Sequence, residues 1–333
     1  MIDFRFQIDF RFSDLTFTAD SSLIYSYVVG NLKYNLKSAI RIYLIIAAPN
    51  LFMHKPAFDI ISTELTVDDR LNCHLLLQIS DRVFSWIMFD TIKRKLFGVR
   101  QYHFDQIHDI SAAKQLEEVL NNDTYLQEET KEVVIVYNYC ESNLIPGNLF
   151  DIAMNKSVTD LVFGSVKKGL IFSEKVKTGE LYNVYRIPRD THTLLQQRFV
   201  AGKYWHLYTL LLVAYGIEKE DVCRIIFYSD CMVVALHIKG ILQLIQTWTY
   251  QTPEDVAYYL LLICQQFKLN QETLRILIAG LIDEQSALYS ELLKYFQLVI
   301  MEPIPTDQIA DDLLDTLPLH YFSPLVKMVT CVL

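Results

Sequence analysis

Residues 224–256, RIIFYSDCMVVALHIKGILQLIQTWTYQTPEDV, decide the fold. Three runs rich in β-branched and apolar residues are separated by short polar turns, which predicts an antiparallel meander of three strands. Thr252 then has the position of a helix N-cap, with Pro253 as the first helical residue and Asp255 placed for a capping box. This stretch therefore predicts three strands and a helix in that order.

An earlier stretch, LNCHLLLQISDRVFSWIMFDTIKRKLFGVRQYHFDQIHDISAAKQLEEVL at 71–120, repeats this order of elements. Ser111 is the predicted N-cap of its helix. Continuous apolar runs follow both helices, at 132–139 and 274–282, and are typical of strands that are buried on both faces. In the second half a further helix (283–296) and strand (297–302) are expected. The sequence thus predicts a duplicated α/β fold with mixed sheets.

Composition limits the possible organisation and function. A chain of 333 residues favours two lobes, which we place at 53–205 and 206–333. The net charge of −9 argues against nucleic-acid binding, which needs clustered cations. The six cysteines are scattered without metal-binding spacing, as in reduced cytoplasmic proteins. No apolar run approaches the ~20 residues of a membrane span, so we expect a cytoplasmic protein without one.

Residues 1–52 differ from the rest of the chain, because they match neither helix nor strand periodicity cleanly. A clear strand pattern begins only after Met53. Two explanations are open: an accessory N-terminal extension, or translation that begins at Met53 with a mis-annotated upstream start. We favour the second explanation.

A three-strand meander, a helix and a parallel strand, occurring twice, resemble the actin-like ATPase fold of sugar kinases, 70-kDa chaperones and actin. Three short phrases narrow the resemblance: NLIPGNLFD (143–151), VYRIPRDTHTLLQQRF (184–199) and LPLHYFSPLVKMVTC (317–331). They resemble the bacterial family called domain of unknown function 3822, which has no established activity. The resemblance covers Met53 to Leu333, and it implies two lobes with a nucleotide cleft between them.

The actin-like fold also implies an Asp-x-Gly turn in each lobe, where backbone N–H groups approach phosphate. Here Asp81 and Asp230 are present, but Val83 and Met232 stand in place of the glycines. The Gly-Gly pair that usually ends the adenosine-binding strand is reduced to Gly280. Asp81, Asp230 and Gly280 are therefore the candidate cofactor-binding residues. The simpler interpretation makes the aspartates hairpin-turn residues and Gly280 a site of close packing, or the lead into a helix capped by Asp283.

Other candidate sites carry weaker signals. His103 and His108 lack further ligands, and His206 is expected in the core or between the lobes, on an apolar helix. An acidic helical stripe is expected to be solvated, as are the basic runs Lys93–Lys95 and Lys167–Lys168 at predicted hairpin turns. The stripe comprises Asp307, Asp311 and Asp315, with Asp312 beside it.

The degraded phosphate turns predict a non-catalytic scaffold or interaction module with an unidentified protein partner and no cofactor. Actin-like proteins of pilus assembly and secretion offer an analogy for such a role. The alternative is a divergent ATP-binding protein or kinase that binds Mg-ATP in the cleft between the lobes. We expect no catalytic residue and no metal site.

Overall fold

The first meander lies where the sequence predicts it. The computed structural model describes residues 55–105, 110–176, 180–216 and 220–332, which fall in one compact unit within His54–Leu333. A short strand and a capped helix precede the meander. The elements of this part are β1 (Phe58–Ile61), α1 (Val67–Asn72), β2 (Cys73–Ile79), β3 (Val83–Asp90), β4 (Lys95–His103), α2 (Ala112–Asn122) and β5 (Glu132–Tyr137).

A middle segment separates the two repeats. It contains a small antiparallel sheet in the order β6-β8-β7, to which we refer as the third sheet. The elements are β6 (Ser142–Pro146), α3 (Asn155–Phe163), β7 (Gly169–Val176), β8 (Leu181–Pro188), α4 (Arg189–Arg198), β9 (Lys203–His206) and α5 (Leu207–Ala214).

The second repeat follows the quoted stretch closely. Thr252 caps its long helix and forms the predicted capping box with Asp255. The elements are β10 (Val222–Phe227), β11 (Cys231–Ile238), β12 (Ile241–Thr249), α6 (Pro253–Phe267), β13 (Arg275–Gly280), α7 (Ala287–Leu293), β14 (Leu298–Met301) and α8 (Ser323–Val332).

The two larger sheets share one strand order. The first sheet runs β1-β4-β3-β2-β5-β9, and the second runs β12-β11-β10-β13-β14. In each, the first strand of the meander pairs antiparallel with the second strand and parallel with the strand that follows the helix. The predicted α/β class and the duplicated architecture are confirmed. The predicted division between residues 205 and 206 stays a prediction.

The helices that follow the last strand of each sheet tie the repeats together. Helix α5 follows the first sheet, yet its Leu211 and Leu212 pack beside Ile226 and Val233 of the second sheet. Helix α8 follows the second sheet, and it contacts α5 and strands β2 and β3 of the first sheet. One apolar core therefore extends between the sheets, and a second core lies between the second sheet and helices α6 and α7.

A partly buried ion cluster joins the same elements. Glu302, just after β14, accepts hydrogen bonds from Arg224 Nε of β10 (2.7 Å) and from Lys327 Nζ of α8 (3.0 Å). The Arg224 guanidinium lies 3.7 Å from the centre of the Tyr215 ring, at the end of α5. Burial alone would raise the pKa of Glu302, but the hydrogen bonds from the two cations hold it below its ordinary value. The cluster fixes both crossing helices to the second sheet.

Several local predictions are wrong in detail. The helix expected at 283–296 begins only at Ala287, because Ser286 rather than Asp283 caps it; Asp283 accepts a hydrogen bond from Tyr321 Oη (2.8 Å). His206 is the N-cap of α5 and not a residue within an apolar helix.

The acidic stripe and one basic run are also placed differently. The acidic residues do not form a helix but lie on and around two short 3₁₀ turns at 306–308 and 311–313. Asp312 there accepts hydrogen bonds from Ser62 and Thr63, just after β1. Lys167 and Lys168 connect α3 to β7 and are not in a hairpin turn.

Some expectations fall on undescribed residues. The N-terminal extension and its two explanations lie outside the described residues, as does His108. Among the helices that the structure describes, none has the combination of length and apolar character that crossing a bilayer requires.

Candidate functional site

The structure brings the two predicted turns together. Ser80, Asp81 and Arg82 connect β2 to β3, while Asp230 lies in the turn between the equivalent strands β10 and β11. Arg82 Nε lies 2.9 Å from Asp230 Oδ2, so an ion pair spans the gap between the turns. Both turns lie at the carboxyl ends of parallel strands, the edge where α/β sheets usually bind ligands.

Within the first turn, Ser80 uses the backbone N–H groups that a phosphate would need. Ser80 Oγ accepts hydrogen bonds from the N–H groups of Arg82 (3.3 Å) and Val83 (2.9 Å). In the second turn, the Tyr228 N–H donates to the Cys231 carbonyl (2.8 Å). In the first turn, the N–H groups that follow the aspartate therefore bond to Ser80. A phosphate cradle instead directs them outward to the anion.

The two residues that replace the expected glycines do not lie in the gap. Val83 is the first residue of β3 and is 8% exposed, while Met232 lies in β11 opposite Phe227, fully buried in the second core. Each turn therefore ends before the position that the Asp-x-Gly comparison assigns to glycine. The side chain that reaches between the turns is Arg82.

Gly280 lies where two strand ends approach each other closely. Its φ is +87°, and a Cβ atom there would lie 2.1 Å from the Phe227 carbonyl oxygen. The Gly280 N–H donates to the His320 carbonyl (2.9 Å), and the Leu281 N–H donates to the Phe227 carbonyl (2.9 Å). Glycine is required by this backbone approach, and its N–H is bonded within the protein.

The space between the sheets beside Gly280 is small. A cavity of about 20 Å³ is lined there by residues including Gln78, Tyr228 and Tyr321. Gln78 Nε2 donates to Tyr228 Oη (2.7 Å), which joins the sheets across this space. One water occupies about 10–15 Å³ by this measure, whereas ligand pockets span about 300–1,000 Å³.

The residues present therefore do not fit Mg-ATP at this position. The N–H groups of Arg82 and Val83 in the first turn and that of Gly280 are engaged within the protein, and an arginine–aspartate pair spans the two turns. A larger depression of about 290 Å³ lies at the opposite ends of β10 and β13, lined by Glu220, Asp221 and Arg275 among others.

The electrostatics of the turns do not favour nucleophilic chemistry. Burial raises the pKa of Asp81, and the nearby Glu141 raises it further, while Arg82 opposes them. Burial also raises the pKa of the Cys140 thiol, and it raises that of Cys231 to about 12. Thiols with raised pKa values stay protonated at neutral pH and are poor nucleophiles.

The described part of the chain also offers no evident metal centre: it contains no group of three His, Cys, Asp or Glu side chains arranged to hold an ion. His103, at the end of β4, contacts Gln101 (2.8 Å). His206 is fully buried and bonds to the Tyr139 carbonyl (2.9 Å).

Reasoning from sequence missed three residues of the site: Ser80, Arg82 and Glu141. Ser80 had a visible signal, because a Ser-Asp pair occurs in both turns. Arg82 had a weaker one, since its counterpart in the second turn is Cys231 and the repeat is asymmetric there. Glu141 had none, because only the fold brings it near Asp81.

Comparison with solved structures gives one likeness that supports the architecture and further weaker ones. A Bacteroides thetaiotaomicron VPI-5482 protein with actin-like ATPase fold and unknown function is similar to this chain, with a TM-score of 0.64 and 18% sequence identity; the match covers 72% of this chain and 93% of that one. The PilM–PilN type IV pilus biogenesis complex matches with a TM-score of 0.48 and 11% identity, over 79% of this chain and 98% of that one. The ethanolamine utilization protein EutJ from Carboxydothermus hydrogenoformans matches with a TM-score of 0.41 and 9% identity, over 82% of this chain and 92% of that one.

Comparison with curated proteins gives no match. A family model does match, over residues 62–299, and this range runs from the end of β1 into β14. It contains both meanders, both facing turns and the middle segment. With an actin-like ATPase fold established by the structural likeness, the chain belongs to the family described as "Protein of unknown function (DUF3822)".

Proposed function

We propose that this protein is a non-catalytic interaction module built on the actin-like fold. The observation that carries this role is the Arg82–Asp230 ion pair, which spans the two turns at 2.9 Å. In an ATP-binding member of the fold, the equivalent turns direct N–H groups at phosphate. Here a side-chain cation from one turn pairs with a carboxylate from the other, so an ion pair occupies the gap between the turns.

The surroundings of the ion pair support the same role. Ser80 bonds the N–H groups of its own turn, and the Gln78–Tyr228 hydrogen bond lies beside the small cavity between the sheets. A module of this kind would act through its surface, with a protein partner and in the cytoplasm. The net charge of −9 makes a protein a more suitable partner than a nucleic acid.

Binding of Mg-ATP in the same cleft is the second candidate. One observation favours it: Asp81 and Asp230 belong to facing turns, as metal-binding aspartates of an ATPase would. For such binding, the Arg82–Asp230 pair would have to open and release both groups to the ligand.

Thermal unfolding with and without millimolar Mg-ATP distinguishes the candidates. A ligand that binds only the folded state at about 100 times its Kd adds about 2.7 kcal/mol to the free energy of unfolding, which raises Tm by several degrees. We expect no shift in Tm and no hydrolysis above background.

If Mg-ATP does raise Tm, two variants show where the nucleotide binds. A shift that disappears in Asp81→Ala or Asp230→Ala would replace the proposed role with that of an ATP-binding protein. A rise in Tm that is unchanged in both variants would show that the nucleotide binds elsewhere. That result would also contradict the proposal that the protein binds no nucleotide. Mg-AMP serves as the control for nonspecific effects of nucleotide and magnesium.

A further inference from the structure

Helix α3 exposes an apolar stripe in the middle segment. Met154, Val158, Leu161 and Val162 follow the spacing i, i+4, i+7 and i+8, which places them along one helical face. The exposed fractions are 86% for Leu161, 56% for Val162 and 51% for Met154. Two further residues extend the surface at its ends, Ile152 (73% exposed) and Val166 (51%). We call these six residues the α3 stripe.

The stripe is held in place by the opposite side of the helix. Asn155 and Thr159 are buried where α3 contacts β7 and β8. The buried Arg186 of β8 donates to Asp160 Oδ1 (3.0 Å) and to the Gly164 carbonyl (2.8 Å) at the end of the helix. Because α3 is anchored at these points, the stripe is a preformed surface. Contiguous exposed apolar surface of this kind usually marks an interaction site.

Three exposed cations stand beside the stripe. Lys167 and Lys168 directly follow Val166, and the Arg189 N–H donates to the Lys168 carbonyl (3.1 Å). None of the ion pairs seen between described residues involves Lys167, Lys168 or Arg189. In a chain with a net charge of −9, this is a local positive region next to an apolar one.

We propose that the α3 stripe and these three cations form a docking surface for an amphipathic helix of a partner protein, one whose apolar face is flanked by Asp and Glu. The stripe would bury the apolar face of that helix, and the cations would pair with its acidic flank. This surface is a specific form of the interaction role proposed above, but its test does not depend on nucleotide binding.

Charge argues against two other occupants. A symmetric contact with a second copy would bring two sets of these cations together, which is repulsive. Helices that lie on membranes usually carry Lys and Arg along the polar face and aromatic anchors on the other. On α3 the polar-face Lys156 is already paired with Asp160, and no residue of the stripe is aromatic.

The probe is a fluorescein-labelled amphipathic peptide of about 18 residues, with leucines at helical spacing and flanking glutamates. Its twin carries lysines in place of the glutamates. Fluorescence anisotropy with the full chain should show binding of the acidic peptide only. Leu161→Asp should weaken it by about tenfold or more. Lys167→Glu with Lys168→Glu should weaken it at low salt and reduce its salt dependence.

The matched control is Ile241→Asp, which places the same charge on an exposed apolar position of the second sheet (65% exposed). This variant should bind the acidic peptide like the unchanged protein. All variants alter exposed side chains, so far-UV circular dichroism and Tm should stay close to those of the parent.

Four results would overturn the docking surface. The first three are that the acidic peptide does not bind at millimolar concentration, that the lysine peptide binds equally well, and that binding of the acidic peptide is unchanged in Leu161→Asp. The fourth result comes from sedimentation. Self-association that Leu161→Asp abolishes would assign the stripe to a second copy, and binding to phosphatidylglycerol vesicles that Leu161→Asp abolishes would assign it to a membrane. None of these results would bear on whether the protein binds ATP.

Discussion

Single residues at the strand ends control the contacts within and between the two repeats. At the end of β13, Gly280 lets the backbone approach Phe227 at a distance that a side chain would prevent. At the end of β2, Ser80 bonds its own turn and Arg82 reaches the facing turn. Sequence singled out Gly280 and the two aspartates because glycine and turn aspartates are recognisable. It did not single out Arg82, whose role depends on a partner distant in the chain.

Replacing Gly280 by alanine should destabilise the protein strongly. The new Cβ would collide with a backbone oxygen at 2.1 Å, and φ is unfavourable for alanine. We expect a loss of about 3 kcal/mol or more in the free energy of unfolding, measured with urea.

Gly216→Ala is the control for that measurement. Gly216 also has a positive φ (+61°), but no atom of the described residues beyond its chain neighbours lies within 4 Å of its Cβ position. Backbone strain alone should remove about 1 kcal/mol. If both variants lost the same small amount, the close approach at Gly280 would not be a constraint on the fold.

Individual elements were predictable where their signals are local. The N-caps Ser111 and Thr252 and the strands of both meanders were predicted because turn and cap residues lie beside the elements they limit. The start of α7 was wrong because Asp283 and Ser286 are both suitable caps, and Tyr321 binds Asp283. His206 was assigned to a helix because the apolar run that follows it is visible in the sequence. The short strand β9, which ends at His206, is not visible there.

The N-cap of α5 should make stability depend on pH. His206 Nδ1 accepts a hydrogen bond from the Tyr208 N–H (3.1 Å), and Nε2 donates to the Tyr139 carbonyl (2.9 Å), so the buried ring is neutral. Burial lowers the pKa of His206 from 6.5 to about 4, although the Tyr139 carbonyl partly opposes this. Between these values the unfolded chain binds more protons than the folded one. Stability is therefore fully present above pH 6.5 and falls as the pH drops towards 4.

Urea unfolding at a series of pH values tests this. His206→Asn should lower stability at neutral pH but flatten its dependence between pH 6.5 and 4, by up to roughly 3 kcal/mol across that interval. His103→Asn, which changes an exposed histidine at the end of β4, is measured beside it as the matched control. An unchanged slope in His206→Asn would show that this ring does not govern the acid sensitivity.

At the scale of the whole molecule, the duplicated order of strands was predictable from the sequence. The way in which the two repeats pack against each other was not. Hydrophobic periodicity and turn residues repeat in the sequence, so the two sheets can be derived from it. Helices α5 and α8 each pack against the opposite sheet, and the cluster of Glu302, Arg224 and Lys327 ties α8 to the second sheet as well. These contacts join residues far apart in the chain, and no local pattern records them. The contact between the facing turns is of the same kind.

Calorimetric titration of Mg-ATP into the full chain tests most directly whether those turns are closed to nucleotide. Arg82→Ala is titrated beside it, because this substitution removes the guanidinium that pairs with Asp230. We expect the unchanged protein to give only heats of dilution up to millimolar Mg-ATP. Saturable heat from the unchanged protein, with one nucleotide per chain, that disappears in Asp81→Ala or Asp230→Ala would contradict a closed site and would show that the actin-like cleft still binds its ligand.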